Sequence, residues 1–530
     1  MLAKHTHSHQ GVKSQERTCG ILLHLTSLPG RHGCGDLGAG ADRCLDFLAR
    51  AGQRYWQILP INPTSAHFDN SPYMSCSSMA GNPLLVSPET LTTQGLLNHQ
   101  DLNPPPFSDF LVEFPQVIAY RRALLERACV AFLAAGGGAE LARQSDELDW
   151  IEDYALFMAL KEKYQEKPWY EWPAALARRD ATALAGERKT LGPRLDYFRF
   201  EQAMFFRQWR DFRQRLARRG IKLIGDLPIY VSQDSVDVWA NQDIFQLDRR
   251  SRRPTMVAGV PPDYFSATGQ RWGNPLYRWH QGGPEVERAL LDWWTRRFAA
   301  AFSLVDLIRV DHFRAFAAYW AIPARETTAV RGTWQPGPGE PFFRQLTERL
   351  GDLPLIIEDL GLITPDVERL RDGLGLPGMK VLQFAFDGDP DNVYLPHNFR
   401  SPDCVVYTGT HDNETTVGWQ LNPQVSEAAK HQLRTYVNRQ GVEPGQAHEN
   451  MIHLALASTA RLAILPMQDL LGFGNDCRMN TPSTQQGNWR WRCHERYFTP
   501  ELADSLAQRC RLFGRYPRTI IDPMGLGAKP

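Results

Sequence analysis

Three acidic positions in this sequence each follow a short run of apolar, β-prone residues. Leu307-Ile308-Arg309-Val310 leads into Asp311, and Leu353-Pro354-Leu355-Ile356-Ile357 leads into Glu358. Cys404-Val405-Val406-Tyr407 leads, after a short turn, into His411-Asp412. A buried parallel strand reads as a continuous apolar run, and barrel enzymes carry their chemistry at the C-terminal tips of such strands. Three acids at three strand ends can meet in one pocket. Acids that meet in this way suit cleavage of a glycosidic bond, where one carboxylate attacks and another carboxyl donates a proton.

Arg309 stands two positions before Asp311, so in a strand the two side chains share a face. A guanidinium there keeps Asp311 ionised and fixes its orientation, as a nucleophile requires; the pair reads equally as a buried structural ion pair. Glu358 is followed by Asp359. Neighbours in an extended segment point to opposite faces, so one of the two lines the pocket, as a proton donor whose affinity is raised by an apolar wall or a second carboxylate. The competing reading makes Glu358 the acid that caps the next helix. His411 beside Asp412 has the chemistry of a metal pair, but no further His or Asp at ligand spacing joins it, so planar polar groups holding sugar hydroxyls are the alternative. Gly225-Asp226-Leu227-Pro228 supplies another strand-end acid, for a sugar contact or for a turn. Ser71-Pro72-Tyr73 and the proline- and glycine-rich stretch 259–275, with Tyr264, Phe265, Gln270, Trp272 and Asn274, offer rings for the apolar faces of a sugar and amides for its hydroxyls.

Positioning these groups takes a closed set of strands. Eight apolar runs, 20–25, 54–59, 222–225, 307–310, 355–357, 381–386, 404–407 and 462–466, alternate with helical stretches, which is the (β/α)₈ count of an α/β TIM barrel. The spacings are unequal. The long step over 62–220 contains helical runs at 114–135 and 151–164 and predicts an inserted, mainly helical subdomain; 229–305 predicts a substrate loop and 413–460 a third insertion. Residues 1–19 read as a disordered N-terminal segment, with His5, His7 and His9 solvated, and 20–530 as the catalytic barrel.

A chain of 530 residues accommodates such a barrel with insertions. Lys plus Arg and Asp plus Glu both number 59, which argues against a nucleic-acid partner. The nine cysteines are scattered without a CxxC spacing, which points to reduced thiols in the cytoplasm and not to a disulfide framework or a zinc site. The N-terminus has no apolar core of a secretory signal, and no apolar stretch is long enough to span a membrane, so no membrane partner is expected.

The motifs also carry a resemblance. HLTSLPG at 24–30, WQILPINPT at 56–64, SPYMSCSSMAGNPLL at 71–85, GDLPIYV at 225–231, the whole of 259–279, RVDHFRAF at 309–316, IEDLG at 357–361, TGTHDNETTVGW at 408–419, LPMQDLLG at 465–472 and GNWRWR at 487–492 stand in one order over nearly the entire chain. With them the sequence resembles the amylomaltases, or disproportionating enzymes, the 4-α-glucanotransferases of glycoside hydrolase family 77. The resemblance implies a nucleophile at Asp311, a general acid/base at Glu358 and a transition-state stabiliser at Asp412. It implies supporting sugar-site residues at Arg309 and His411, and glucan contacts at Tyr73, Asp226, Phe265, Gln270, Trp272, Asn274 and Asn480. It implies a retaining transfer of an α-1,4-glucan segment to the 4-hydroxyl of glucose or another glucan, with maltooligosaccharides, maltodextrin or amylose as donor and acceptor. No metal or organic cofactor is required; an α-1,4-glucan hydrolase on the same barrel is the alternative. Two departures from the family pattern are Ala315, where glycine is common, and Pro482-Ser483, where Pro-Gly is usual; the second bears on the geometry of the Asn480 loop.

Overall fold

Eight parallel strands close on themselves in the order β1, β12, β11, β10, β9, β6, β3, β2. The ranges are β1 Thr18–Leu22, β2 Tyr55–Gln57, β3 Lys222–Pro228, β6 Leu307–Asp311, β9 Leu355–Ile357, β10 Gly378–Val381, β11 Cys404–Tyr407 and β12 Leu462–Pro466. The structure is a computed structural model and describes residues 16–262, 266–439 and 446–517. The expected barrel is present, with differences at strand ends. The first strand begins at Thr18, not at 20, and Arg17 is tied down by hydrogen bonds to the carbonyls of Ser458 (2.5 Å), Phe513 (2.9 Å) and Leu456 (3.1 Å). Residues 16–19 are therefore part of the folded body; His5, His7 and His9 lie outside the described residues. The sixth strand spans Gly378–Val381 instead of 381–386, because the apolar run Leu382–Phe384 turns into a 3₁₀ helix.

Register explains why the interior works. Asp226 pairs with Arg309 and Pro228 with Asp311 on neighbouring strands, so these side chains point into the barrel together. Val310 and Ile357 pair across the β6–β9 seam, which sets Asp311 and Glu358, one residue further on, side by side at the top. Lower down, the Tyr407 hydroxyl donates to Gln57 Oε1 (2.9 Å) across the interior, giving a buried polar pair its partner. Gly20 permits a close approach in the wall: a Cβ there would stand 2.4 Å from the carbonyl oxygen of Tyr55.

The segment after β2 is largely helical. Helices Phe114–Ala134, Gly138–Glu147 and Ile151–Lys163 pack on the long helix Gly192–Arg218. That long helix is not wholly inserted. Its C-terminal half is the barrel's own outer helix: the Phe212 ring meets Trp56 of β2 edge-on at 5.7 Å, and Trp209 Nε1 donates to the Leu304 carbonyl (3.0 Å). The segment 413–460 contains helices Thr416–Leu421, Glu427–Tyr436 and Ala447–Ala457.

A second sheet is a finding the sequence did not forecast. β4 Met256–Val260, β5 Gln270–Pro275, β7 Ala318–Pro323 and β8 Thr333–Pro336 form an antiparallel sheet in the order β5-β4-β7-β8. The expected substrate loop at 229–305 thus contains two strands, paired with strands that follow β6. The outer strands β5 and β8 are polar and partly exposed and lack the apolar runs that mark the barrel, whereas the inner strands β4 and β7 are apolar and mostly buried. Among the described residues no helix is long and apolar enough to cross a membrane.

Candidate active site

Arg309 is the hub of the strand tips. Its Nη1 lies 2.8 Å from both oxygens of Asp226 and 3.1 Å from Asp311 Oδ1. The Asp226 side chain is fully enclosed, and its Oδ2 also accepts the Tyr73 hydroxyl at 2.6 Å. Asp226 therefore positions Arg309 and Tyr73; in this geometry it is not a direct sugar contact. The Tyr73 hydroxyl is 2.8 Å from His411 Nε2, and the two rings stack at 5.2 Å. His411 Nε2 lies 3.2 Å from Asp412 Oδ2, and Asn480 Nδ2 donates to Asp412 Oδ1 (2.6 Å). One continuous network thus joins Asp311, Arg309, Asp226, Tyr73, His411, Asp412 and Asn480, residues far apart in the chain.

Glu358 enters from the next strand and is held by main chain. Its Oε2 accepts the His312 N–H (2.7 Å) and its Oε1 the Leu360 N–H (3.2 Å). Its own N–H donates to the Val310 carbonyl (3.0 Å), so the two strand tips are stitched in both directions. Asp359 points the other way, as alternation requires: it accepts the Met379 N–H (2.7 Å) and Arg371 Nη1 (3.0 Å), packed so close to Gly378 that a Cβ there would lie 2.2 Å from the carboxylate.

Electrostatics separate the acids. Burial pushes Asp311 up to about 6; the Arg309 charge opposes this, while Asp226 and Asp412 add to it. Burial, and after it the charge of Asp311, push Glu358 up to about 7, with Arg309 and the two N–H donors pulling back. Asp412 behaves oppositely. Burial alone would raise it, but the charge and hydrogen bond of His411, and then Asn480, hold it well below the usual carboxylate range. Near neutral pH the site therefore holds a protonated Glu358 beside an ionised Asp311, with Asp412 ionised throughout. Both carboxyls are thus raised together, while one is paired with a guanidinium and the other is held by two N–H donors.

Other expected residues fall out differently. Trp272 stands edge-on to the His312 ring (4.7 Å) and donates from Nε1 to Gln270 Oε1 (3.1 Å), which brings both to the rim beside Asp311. Asn274 is turned inward: its amide donates to the Val231 carbonyl (2.9 Å) and the residue is buried, so it anchors the loop and does not face the cleft. Phe265 lies outside the described residues, as does Tyr264. Of the two departures, Ala315 is buried and its N–H bonds to the His312 carbonyl (3.1 Å). Ser483 takes φ +67, the left-handed region where glycine is at ease, so this loop keeps the glycine conformation without the glycine.

Three contributors went unforeseen. His312 itself sits at φ +50, a conformation that costs a non-glycine residue energy and that aims its N–H at Glu358. Arg478 donates from Nη2 to the Asp412 carbonyl (2.6 Å) and from Nε to the Asn480 carbonyl (2.7 Å), clamping together the two residues whose side chains already meet. The Trp489 ring closes the wall 5.6 Å from Tyr73 and 6.1 Å from His411. His312 and Arg478 act through main-chain atoms, for which a sequence gives no sign. Among the described residues no group of three or more His, Cys, Asp or Glu is placed to hold a metal ion.

The family model described as 4-alpha-glucanotransferase matches residues 23–498. The chain is similar to the 4-alpha-glucanotransferase of Synechocystis, 46% identical over 94% of this chain and 98% of that protein. It is similar to the one of Thermus thermophilus, 45% identical over 92% and 96%. Among solved structures, the amylomaltase of Streptococcus agalactiae in complex with acarbose superposes with a TM-score of 0.90 at 38% identity, covering 95% of this chain and all of that one.

Proposed function

Because the chain belongs to the 4-alpha-glucanotransferase family, glycoside hydrolase family 77, we propose that its transfer of α-1,4-glucan runs as a retaining double displacement carried by Asp311, Glu358 and Asp412. Asp311 attacks C1 of a glucosyl unit while Glu358 protonates the departing oxygen. A covalent glucosyl–enzyme forms, the shortened sugar leaves, and Glu358, now a carboxylate, takes the proton from the 4-hydroxyl of the incoming acceptor. Asp412 grips ring hydroxyls more tightly as positive charge develops at C1, and only binding that strengthens in the transition state accelerates the step. What carries this reading is the seam between β6 and β9, where a guanidinium-held Asp311 and a Glu358 raised to about 7 stand side by side.

Maltooligosaccharides, maltodextrin and amylose serve as donors and acceptors in this reading, and glucose as the smallest acceptor. Gln270, Trp272 and Tyr73 form the near walls for the sugar rings, and Asn480 joins Asp412 at the hydroxyls. We assign the acceptor side to the described part of the 259–275 stretch and to the 62–220 insertion; excluding water and raising the effective acceptor concentration there would favour transfer over hydrolysis. The free cysteines support a reducing, cytoplasmic setting. Maltotriose alone tests the assignment: free glucose together with a ladder of longer maltodextrins is expected by chromatography, and a product set of shorter sugars only would make the enzyme a hydrolase.

Arg478 acts in this scheme through Asp412. Arg478→Lys keeps the charge but one ammonium cannot span both carbonyls. A fall in kcat of roughly tenfold is expected, since a small misplacement of a stabilising group is costly, with KM and the melting temperature little changed. Steady-state kinetics beside a thermal melt decide it; a rise in KM with kcat intact would make Arg478 a binding residue instead.

A further inference from the structure

The two ends of the described chain meet at the N-terminal face of the barrel, away from the carboxylates. Cys19 is the second residue of β1, and Cys510 lies in the last turn of the helix Pro500–Leu512. Both are fully buried, and their sulfurs are 3.2 Å apart in a thiol–thiol hydrogen bond between residues 491 positions apart. The surroundings are built. Gln53 Nε2 donates to Cys510 Sγ (3.5 Å), and Cys19 Sγ faces the Arg515 carbonyl (3.9 Å). Arg515 is itself buried, its guanidinium donating to main-chain carbonyls that include Leu456 (2.7 Å), Ala460 (2.8 Å) and Thr18 (2.9 Å). Its charge sits close to both thiols. The hydrogen bond from Cys19, then Gln53 and Arg515, lower Cys510 against the pull of burial, while Cys19 is raised. The hydrogen bond and the nearby guanidinium favour negative charge on Cys510, with Cys19 placed against it as a resolving partner.

We propose that Cys19 and Cys510 are a site of covalent modification, joined as a disulfide by a peroxide oxidant to staple the first barrel strand to the last helix. The Cys510 thiolate attacks one oxygen of hydrogen peroxide, breaking the O–O bond and giving a sulfenic acid and hydroxide. The Cys19 sulfur then attacks the sulfenic sulfur, the S–S bond forms, and water departs. Two thiols and one peroxide become one disulfide and two waters. Both sulfurs are enclosed, so the oxidant reaches them only on local opening of the helix end that carries exposed Leu512. A link that closes nearly the whole chain restricts the unfolded state strongly, so its effect falls on unfolding and not on the distant carboxylates.

The full-length chain treated with hydrogen peroxide, blocked with N-ethylmaleimide and digested without reductant tests this by mass spectrometry. A parallel sample of free cysteine, converted to cystine, reports that the oxidant is active. A cross-linked fragment pair containing positions 19 and 510, two hydrogens lighter than the separate fragments and lost on adding dithiothreitol, is expected. The oxidised chain should unfold in urea about tenfold more slowly or better, a gain absent after reduction and absent in Cys510→Ser. Cystine formed in the parallel sample, with positions 19 and 510 both recovered as alkylated thiols, would overturn the proposal. So would a 19–510 link that leaves the unfolding rate unchanged.

Discussion

Asp311→Asn is expected to lower transfer between maltodextrins by at least roughly 10⁴-fold, because an amide cannot form the glucosyl ester on which both half-reactions depend. The fold should survive. Asn is isosteric, Arg309 keeps both oxygens of Asp226, and the variant should bind maltodextrin with near-normal affinity by calorimetry. A second readout comes from the neighbour. The charge of Asp311 is, after burial, the largest influence raising Glu358 to about 7. Removing that charge should bring the Glu358 value down. In the native enzyme the active form has Asp311 ionised and Glu358 protonated, so it exists above the Asp311 value near 6 and below the Glu358 value near 7. In the variant the protonated form of Glu358 should be lost at lower pH, as infrared titration of the carboxyl would record. Near-native turnover, or a Glu358 titration that does not move, would remove Asp311 from the nucleophile's place.

Glu358→Gln carries the second large effect. Loss of general acid/base assistance should reduce transfer from maltodextrin donors by roughly 10²–10⁴-fold. The defect should depend on the leaving group. An α-maltosyl fluoride donor departs without protonation, so the first half-reaction should recover much of its rate. The second half-reaction still lacks its base, so the maltosyl–enzyme should accumulate. Intact-mass measurement would then show the added sugar, and peptide mapping would place it on Asp311. Equal impairment with fluoride and maltodextrin donors would mean that Glu358 has some role other than proton transfer.

The sequence made the barrel legible where burial on both faces forces apolar runs. Val405-Val406-Tyr407 and Leu462–Pro466 announce themselves in that way. It misled at the sixth strand, because Val381 and Leu382 continue the apolar run past the point where the chain leaves the sheet. It was silent on the second sheet, whose edge strand Thr333–Pro336 lies largely exposed and owes its pairing to neighbours and not to pattern. The carboxylates could be read because strand tips fix where side chains point. Asp226 and Asn274 could not be resolved in the same way. Whether a polar side chain meets a sugar or satisfies a buried partner depends on what folds above it, here Tyr73 over Asp226 and the Val231 carbonyl beside Asn274. Ser483 taught the reverse: a departure from the usual glycine altered the strain of its loop but left Asn480 on Asp412.

The double stitch between the β6 and β9 tips has a stereochemical consequence. Because peptide groups fix Glu358 against Asp311, the donor and the attacking oxygen approach C1 from faces set by the backbone, whereas Asp412 arrives on a separate turn secured by Arg478. Disturbing that turn changes how fast the sugar reacts without changing which side is attacked. Handedness at the anomeric carbon is thereby insulated from wear at the rest of the cleft, and even crippled forms of this enzyme should yield only the α linkage.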